Sequence, residues 1–204
     1  AAGIRQVRRI LVRIDVLGVA TLYGTISARG TKGLSNSGGG AGGAILINCD
    51  RLDGGTNGLL RVNGGRSQNW PGGGGAGGRI AVNYNPASQT GNPGVRFSAQ
   101  YGTGVMNGEP GVIYLPSPVF LSSLVGDQLF MGGRLVIPGF SGWTLDSLAF
   151  SNCAVQLGTN AFQLTVTNEF RLFAGASLTL PSGSSIRCGN LVLTNNASLA
   201  VYAD

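Results

Sequence analysis

The chain has 204 residues, of which 43% are apolar and only 11% charged, against about 25% charged in an average soluble domain. Histidine is absent, which removes the commonest general base, the commonest metal ligand and the usual partner of a Ser or Cys nucleophile. Gly accounts for 36 residues and Pro for 8 with no strict Gly-X-Y period, so collagen is excluded, and the abundant Val, Ile and Leu argue against a disordered chain.

The net charge of +6 comes from 14 basic and 8 acidic residues, and Lys32 is the single lysine. That balance suits an anionic partner, whether an anionic glycan, lipopolysaccharide or nucleic acid, but the charges are scattered except at Arg5, Arg8, Arg9 and Arg13, as on a solvated basic surface. The opening Ala1-Ala2-Gly3 has the small-residue style left by signal peptidase, and a mature secreted chain is expected. No apolar run approaches the ~20 residues of a membrane helix, so a membrane-spanning role is not expected.

Residues 1–18 form a first segment. Ile4, Val7, Leu11 and Ile14 fit a helical spacing, whereas Ile10, Val12, Ile14 and Val16 fit strand alternation; β-branched side chains favour the strand. Such a strand either caps a stack or joins a neighbouring subunit. The candidate contacts are Arg5, Val7, Arg9, Ile10, Val12, Ile14 and Val16.

Residues 19–116 carry an internal repeat. Gly38-Gly39-Gly40-Ala41-Gly42-Gly43-Ala44-Ile45-Leu46-Ile47 is matched by Gly73-Gly74-Gly75-Ala76-Gly77-Gly78-Arg79-Ile80-Ala81-Val82, an offset of 35. A weaker copy ends at Val112-Ile113-Tyr114-Leu115, 33 residues on from Ile80 to Ile113. Each Gly run follows a β-type run, at residues 20–28, 58–63 and 94–99. The unit is therefore strand, Gly loop, strand.

Residues 117–204, beyond a soft boundary at Pro116-Ser117-Pro118, repeat at a shorter interval. The steps from Leu148 to Phe170 to Leu191 are 22 and 21 residues. Periods of 20–35 residues with short strands are the mark of a solenoid, in which stacked rungs bury what no rung can bury alone. The predicted fold is all-β, a parallel β-helix or solenoid with Gly-rich loops. The Gly runs themselves can be packed extended strands of polyproline-II type, mobile loops or a ligand-binding face, and the sequence leaves these open.

Chemical motifs are sparse. Both Gly runs satisfy G-x-G-x-x-G, but each leads into β-type sequence rather than a helix, so no dinucleotide site is expected, and no Walker A motif exists. Asp50-Arg51-Leu52-Asp53-Gly54 lacks the oxygen-ligand spacing of calcium loops. Cys49, Cys153 and Cys188 have no C-x-x-C spacing. No cofactor or metal is expected. The acids are isolated in sequence; Asp127 and Asp146 lie 19 apart, roughly one rung, and are the one pair that could stack for glycan cleavage. Enzyme activity is not expected. Trp70, Tyr84, Tyr101 and Trp143 are weak candidates for a sugar platform, with core packing the competing role.

The stretch GGGGAGGRIAVNY at residues 72–84, with GVIYL at 111–115, resembles the Gly-rich repeats of large bacterial cell-surface proteins. The shorter rungs, as at residues 190–201, resemble the β-helical passenger domains of adhesins and autotransporters. The resemblance covers residues 19–115 well and 145–204 loosely. It implies secretion and a surface or adhesive role, and names no ligand.

These readings point first to a structural subunit of an extracellular filament or cell-surface layer, whose partners are copies of itself. Leu191, Leu193, Leu199 and Val201 of the last rung would form the other contact face. Seven to nine rungs at the strand spacing of about 4.8 Å predict an axial repeat of about 30 to 45 Å. The alternative is an adhesin module, bacterial or phage, that binds cell-surface glycans; a β-helical polysaccharide-active enzyme ranks below it. No nucleic-acid partner is expected.

Overall fold

The computed structural model describes residues 11–34, 37–68, 71–158 and 161–202. The chain is all-β with parallel sheets. The first repeat supplies β1 (Leu11–Asp15), β2 (Val19–Leu22) and β3 (Thr25–Ser27). The second supplies β4 (Ala44–Asn48), β5 (Arg51–Gly54) and β6 (Leu59–Arg61), and the third β7 (Arg79–Asn83) and β8 (Arg96–Ser98). Then follow β9 (Val112–Tyr114), a 3-10 turn at Pro118–Phe120, β10 (Leu124–Val125), β11 (Phe130–Val136), β12 (Gly142–Ser151) and β13 (Ala154–Leu157). β14 (Gln163–Phe173), β15 (Ser177–Pro181), β16 (Ser185–Leu193) and β17 (Ser198–Tyr202) complete the order. No helix among the described residues is long and apolar enough to cross a membrane.

One ladder runs β1-β4-β7-β9-β11-β13-β15-β17, a second β10-β12-β14-β16, and β2 pairs with β5. The expected offsets are the observed registers. Ile45 sits beside Ile80 and Ile80 beside Ile113; Leu148 sits beside Phe170 and Phe170 beside Leu191. Alternation turns every second side chain inward. Val12 lies beside Ile45, so residues 11–15 are a strand of the same ladder. The inward residues from Ala28 to Leu180 form one buried cluster. It passes through the Pro116-Ser117-Pro118 segment, where Phe120 stacks on Tyr84 at 4.9 Å and lies 6.0 Å from Phe97.

The two repeat lengths have one explanation. β11 pairs with β8 through Phe130 and Met131, and with β9 through Arg134, Leu135 and Val136. The Phe130–Phe97 offset is 33 and the Arg134–Val112 offset is 22. Between Ser98 and Val112 the chain spends the 13 residues of a Gly loop, and between Met131 and Arg134 only Gly132 and Gly133. The difference, 13 − 2 = 11, equals 33 − 22. The short rung is the long rung without its Gly loop. Gly132 and Gly133 make the splice with φ of 71° and 109°, a backbone that side chains resist.

The described arms of the Gly loops are paired by backbone hydrogen bonds. Outgoing arms bond to one another: Gly30 N–H to Asn63 O (2.8 Å), Gly33 to Arg66 (2.9 Å), Gly64 to Gln100 (2.9 Å), Ser67 to Thr103 (2.9 Å). Returning arms do the same: Gly39 to Gly73 (2.9 Å), Gly42 to Ala76 (2.8 Å), Gly74 to Met106 (2.8 Å), Gly77 to Glu109 (2.9 Å). Other donors cross between the arms, Gly40 to Thr31 (2.9 Å) and Gly75 to Gly65 (2.9 Å). Bonds in one direction recur every third residue, as they must in an extended helix of three residues per turn. A Cβ on Gly39 would overlap the Gly65 carbonyl, and one on Gly74 the Gly102 carbonyl. None of the glycines in the two runs has φ in the left-handed region, so they are required for room and not for handedness. The third face is looser: a Cβ on Gly38 or Gly73 would meet its nearest neighbour at 3.1 and 3.5 Å, and Ala41 and Ala76 occupy the next such positions.

Candidate functional site

Two surfaces stand out, the terminal edge of the stack and a groove beside the Gly layer. At the edge, β16 pairs only with β14 and β17 only with β15 among the described residues. The inward residues of the strands beneath are covered: Leu164, Val166, Phe170, Leu172, Leu178 and Leu180 are all buried. Their register partners are Ile186, Cys188, Leu191, Leu193, Leu199 and Val201. Of these, Leu191 is 48%, Leu193 46% and Val201 65% exposed, while Ile186, Cys188 and Leu199 are half-buried. Among the described residues, the columns of the core thus end with part of their apolar surface exposed on this face.

At the other end, Val12 and Ile14 point inward beside Ile45 and Ile47 and are half-buried. Val16 donates its N–H to Asn48 O at 2.8 Å. The rim of this ladder carries a polar chain, Asn83 Nδ2 to Asn48 Oδ1 (2.8 Å) and Asn48 Nδ2 to Asp15 Oδ1 (2.5 Å). The Asn48 amide and then Arg13 hold the Asp15 carboxyl below its ordinary value. Arg5, Val7, Arg9 and Ile10 lie outside the described residues, as does Trp70.

The groove opens where the Gly layer stops. Its last rung, with Gln100, Tyr101 and Thr103, overhangs Gly132–Gly133 and the outward face of β13, β15 and β17. The cavity, about 580 Å³, is floored by Gln156, Ser177, Thr179 and Ser198. A second depression of about 430 Å³ continues it along the outgoing Gly arms and is lined by Arg29, Lys32, Asn63 and Arg66. Tyr101 and Thr103 border both. Tyr101 is 41% exposed.

The other proposed platform aromatics are placed differently. Tyr84 is a correction: it is 4% exposed, and its hydroxyl donates to Ser117 O at 2.8 Å. Burial pushes its phenol pKa up. It packs the core and presents no face to a sugar. Trp143 is half-buried, edge-on to Phe140 at 6.0 Å. Sequence reasoning missed the three cations of the groove, because Arg29, Lys32 and Arg66 are brought together only by the pairing of Gly arms.

Asp127 and Asp146 do not pair. The register sets Leu124 beside Ala149, and Gln128 N–H bonds to Asn152 O. Asp127 is thus about six strand positions along from Asp146, which faces Thr167 across a bulge. No group of three or more His, Cys, Asp or Glu side chains able to hold a metal is present among the described residues. Cys49, Cys153 and Cys188 are free thiols. Cys153 donates to Val125 O at 3.4 Å, and burial pushes its pKa up to about 11, so it is held as the unreactive thiol.

No protein-family model matches the chain, and neither a curated protein nor a solved structure matches it. The resemblance to Gly-rich surface proteins rests on the motifs at residues 72–84 and 111–115.

Proposed function

We propose that this chain is a structural element of a secreted filament or surface layer, in which the parallel ladders are faces of one parallel β-helix continued from copy to copy. Each of the first two repeats supplies one strand to each of the pairings β1-β4, β2-β5 and β3-β6, in that order, and their inward residues share one core, as a helical coil of strands requires. The observation that carries the assembly is the uncovered edge of β16 and β17. An unblocked parallel edge with exposed apolar columns favours pairing with another strand edge. β1 is a strand of the same direction at the opposite end of the ladder. Val201 of one copy would extend the column that begins at Val12 of the next, a head-to-tail contact that does not close and so builds a fibre.

Electron microscopy of the purified chain tests this. Filaments that lengthen with concentration are expected. The Leu191→Lys/Leu193→Lys double variant, which charges the edge without touching buried residues, should leave discrete particles with unchanged circular dichroism. Discrete particles from the unaltered chain at every concentration would overturn the reading.

A further inference from the structure

We propose that the groove beside the Gly layer binds an acidic polysaccharide, with Arg29, Lys32 and Arg66 holding its carboxylates and Tyr101 stacking on a sugar ring. The proposal does not depend on end-to-end stacking. The two depressions form one run that shares Tyr101 and Thr103 at its middle. Neither is lined by an acidic residue. All three cations are exposed, and the two ion pairs of the described chain, Arg13–Asp15 and Arg51–Asp53, involve none of them.

Their spacing is set by backbone. Arg29 and Lys32 lie on one extended arm, three residues apart, about 9 Å along it. Arg66 lies on the adjoining arm, its carbonyl bonded to Gly33 N–H at 2.9 Å. Lys32 and Arg66 therefore stand abreast on adjoining arms with Arg29 one turn further along, an elongated cationic strip that suits successive charges of a linear polymer.

The other half of the groove is uncharged. Gln100, Gln156, Ser177, Thr179 and Ser198 supply amides and hydroxyls, groups that match the hydroxyls of sugars. The single exposed aromatic at the junction offers one ring face. A nucleic-acid strand would draw on repeated aromatic stacking and a cationic track along its whole length, and among the described residues the run has one aromatic and cations on one half only.

The test is calorimetric titration of the intact chain with polygalacturonate oligosaccharides at low salt, with neutral dextran and an oligo-dT strand in parallel. The Arg29→Ala/Lys32→Ala/Arg66→Ala triple variant should bind the polygalacturonate about 30-fold more weakly, from three solvent-exposed charge contacts. Tyr101→Ala should lose about fivefold through the stacking contact. Raising salt from about 0.05 to about 0.3 M should weaken the intact chain and barely affect the triple variant. All four side chains are exposed, so circular dichroism and melting of both variants should match the intact chain. Absence of polygalacturonate binding, an unaffected triple variant, or equally tight binding of dextran or oligo-dT would each overturn the proposal.

Discussion

Single residues complete what strands leave undone. The third repeat has no strand to follow β5, so the Leu52 peptide would end the β2–β5 sheet unpaired. The Gln89 side chain takes the place of a backbone: its Oε1 accepts from Leu52 N–H at 2.9 Å and its Nε2 donates to Leu52 O at 3.0 Å. Both residues are buried, Leu52 at 1% and Gln89 at 5% exposure. Gln89→Leu leaves a buried donor and acceptor unpaired and should destabilise the chain by about 3 kcal/mol in denaturant unfolding. Nothing in Ser88-Gln89-Thr90 distinguishes this amide from a loop residue in the sequence, because its role depends on a partner 37 positions away. The corners of the short rungs are a contrasting case. Asn152, Ala174, Asn195 and Asn196 have φ of 47°, 51°, 53° and 59°, a conformation that Asn tolerates better than Ala. Ala174 is exposed, so Ala174→Gly should raise stability by about 0.5–1 kcal/mol.

At the scale of elements, the Gly run obeys a grammar of three. Gly39, Gly40, Gly42 and Gly43 donate to neighbouring backbones, whereas positions 41 and 44 hold Ala and a Cβ on Gly38 would lie 3.1 Å from Gly73 O. The same pattern of donors holds at 74, 75, 77 and 78 against 73 and 76. The offset of 35 was legible in the sequence, but the sequence left open whether the Gly runs are extended and packed, and which glycines lack room follows only from which arm each one faces. Gly65→Ala drives a methyl into the Thr31 carbonyl and should lower the melting temperature by several degrees, by at least the ~1–3 kcal/mol of an overpacked site. Gly24→Ala meets nothing within 4 Å and should leave it unchanged. The repeat lengths of 33–35 and 21–22 read in the sequence as two kinds of rung. They are one kind, and the signal was the pair Gly132-Gly133 standing where thirteen residues stood one rung earlier.

At the largest scale, the main ladder has eight strands from β1 to β17 among the described residues. Stacked head to tail at about 4.8 Å each, they give an axial repeat of about 38 Å, which the power spectrum of the filament images should show. A strong repeat outside the range of about 35–42 Å would mean that copies meet by another contact. The core ladders were legible because apolar alternation is local. The groove was not, because it is a step in thickness: three rungs carry a Gly layer and the next do not. Of the three singled-out aromatics among the described residues, Tyr84, Tyr101 and Trp143, only Tyr101 stands at that step.

The Gly layer also has a mechanical consequence. An ordinary sheet is tied to its neighbours in one plane, and shear across that plane meets only side-chain contacts. Here the backbone of each extended arm is tied both to the next rung and to the opposite arm, so sliding in either direction breaks hydrogen bonds. A fibre made of such rungs would be stiff against twisting on its Gly-bearing side and more compliant where the layer is missing, so that each copy bends at Gly132–Gly133.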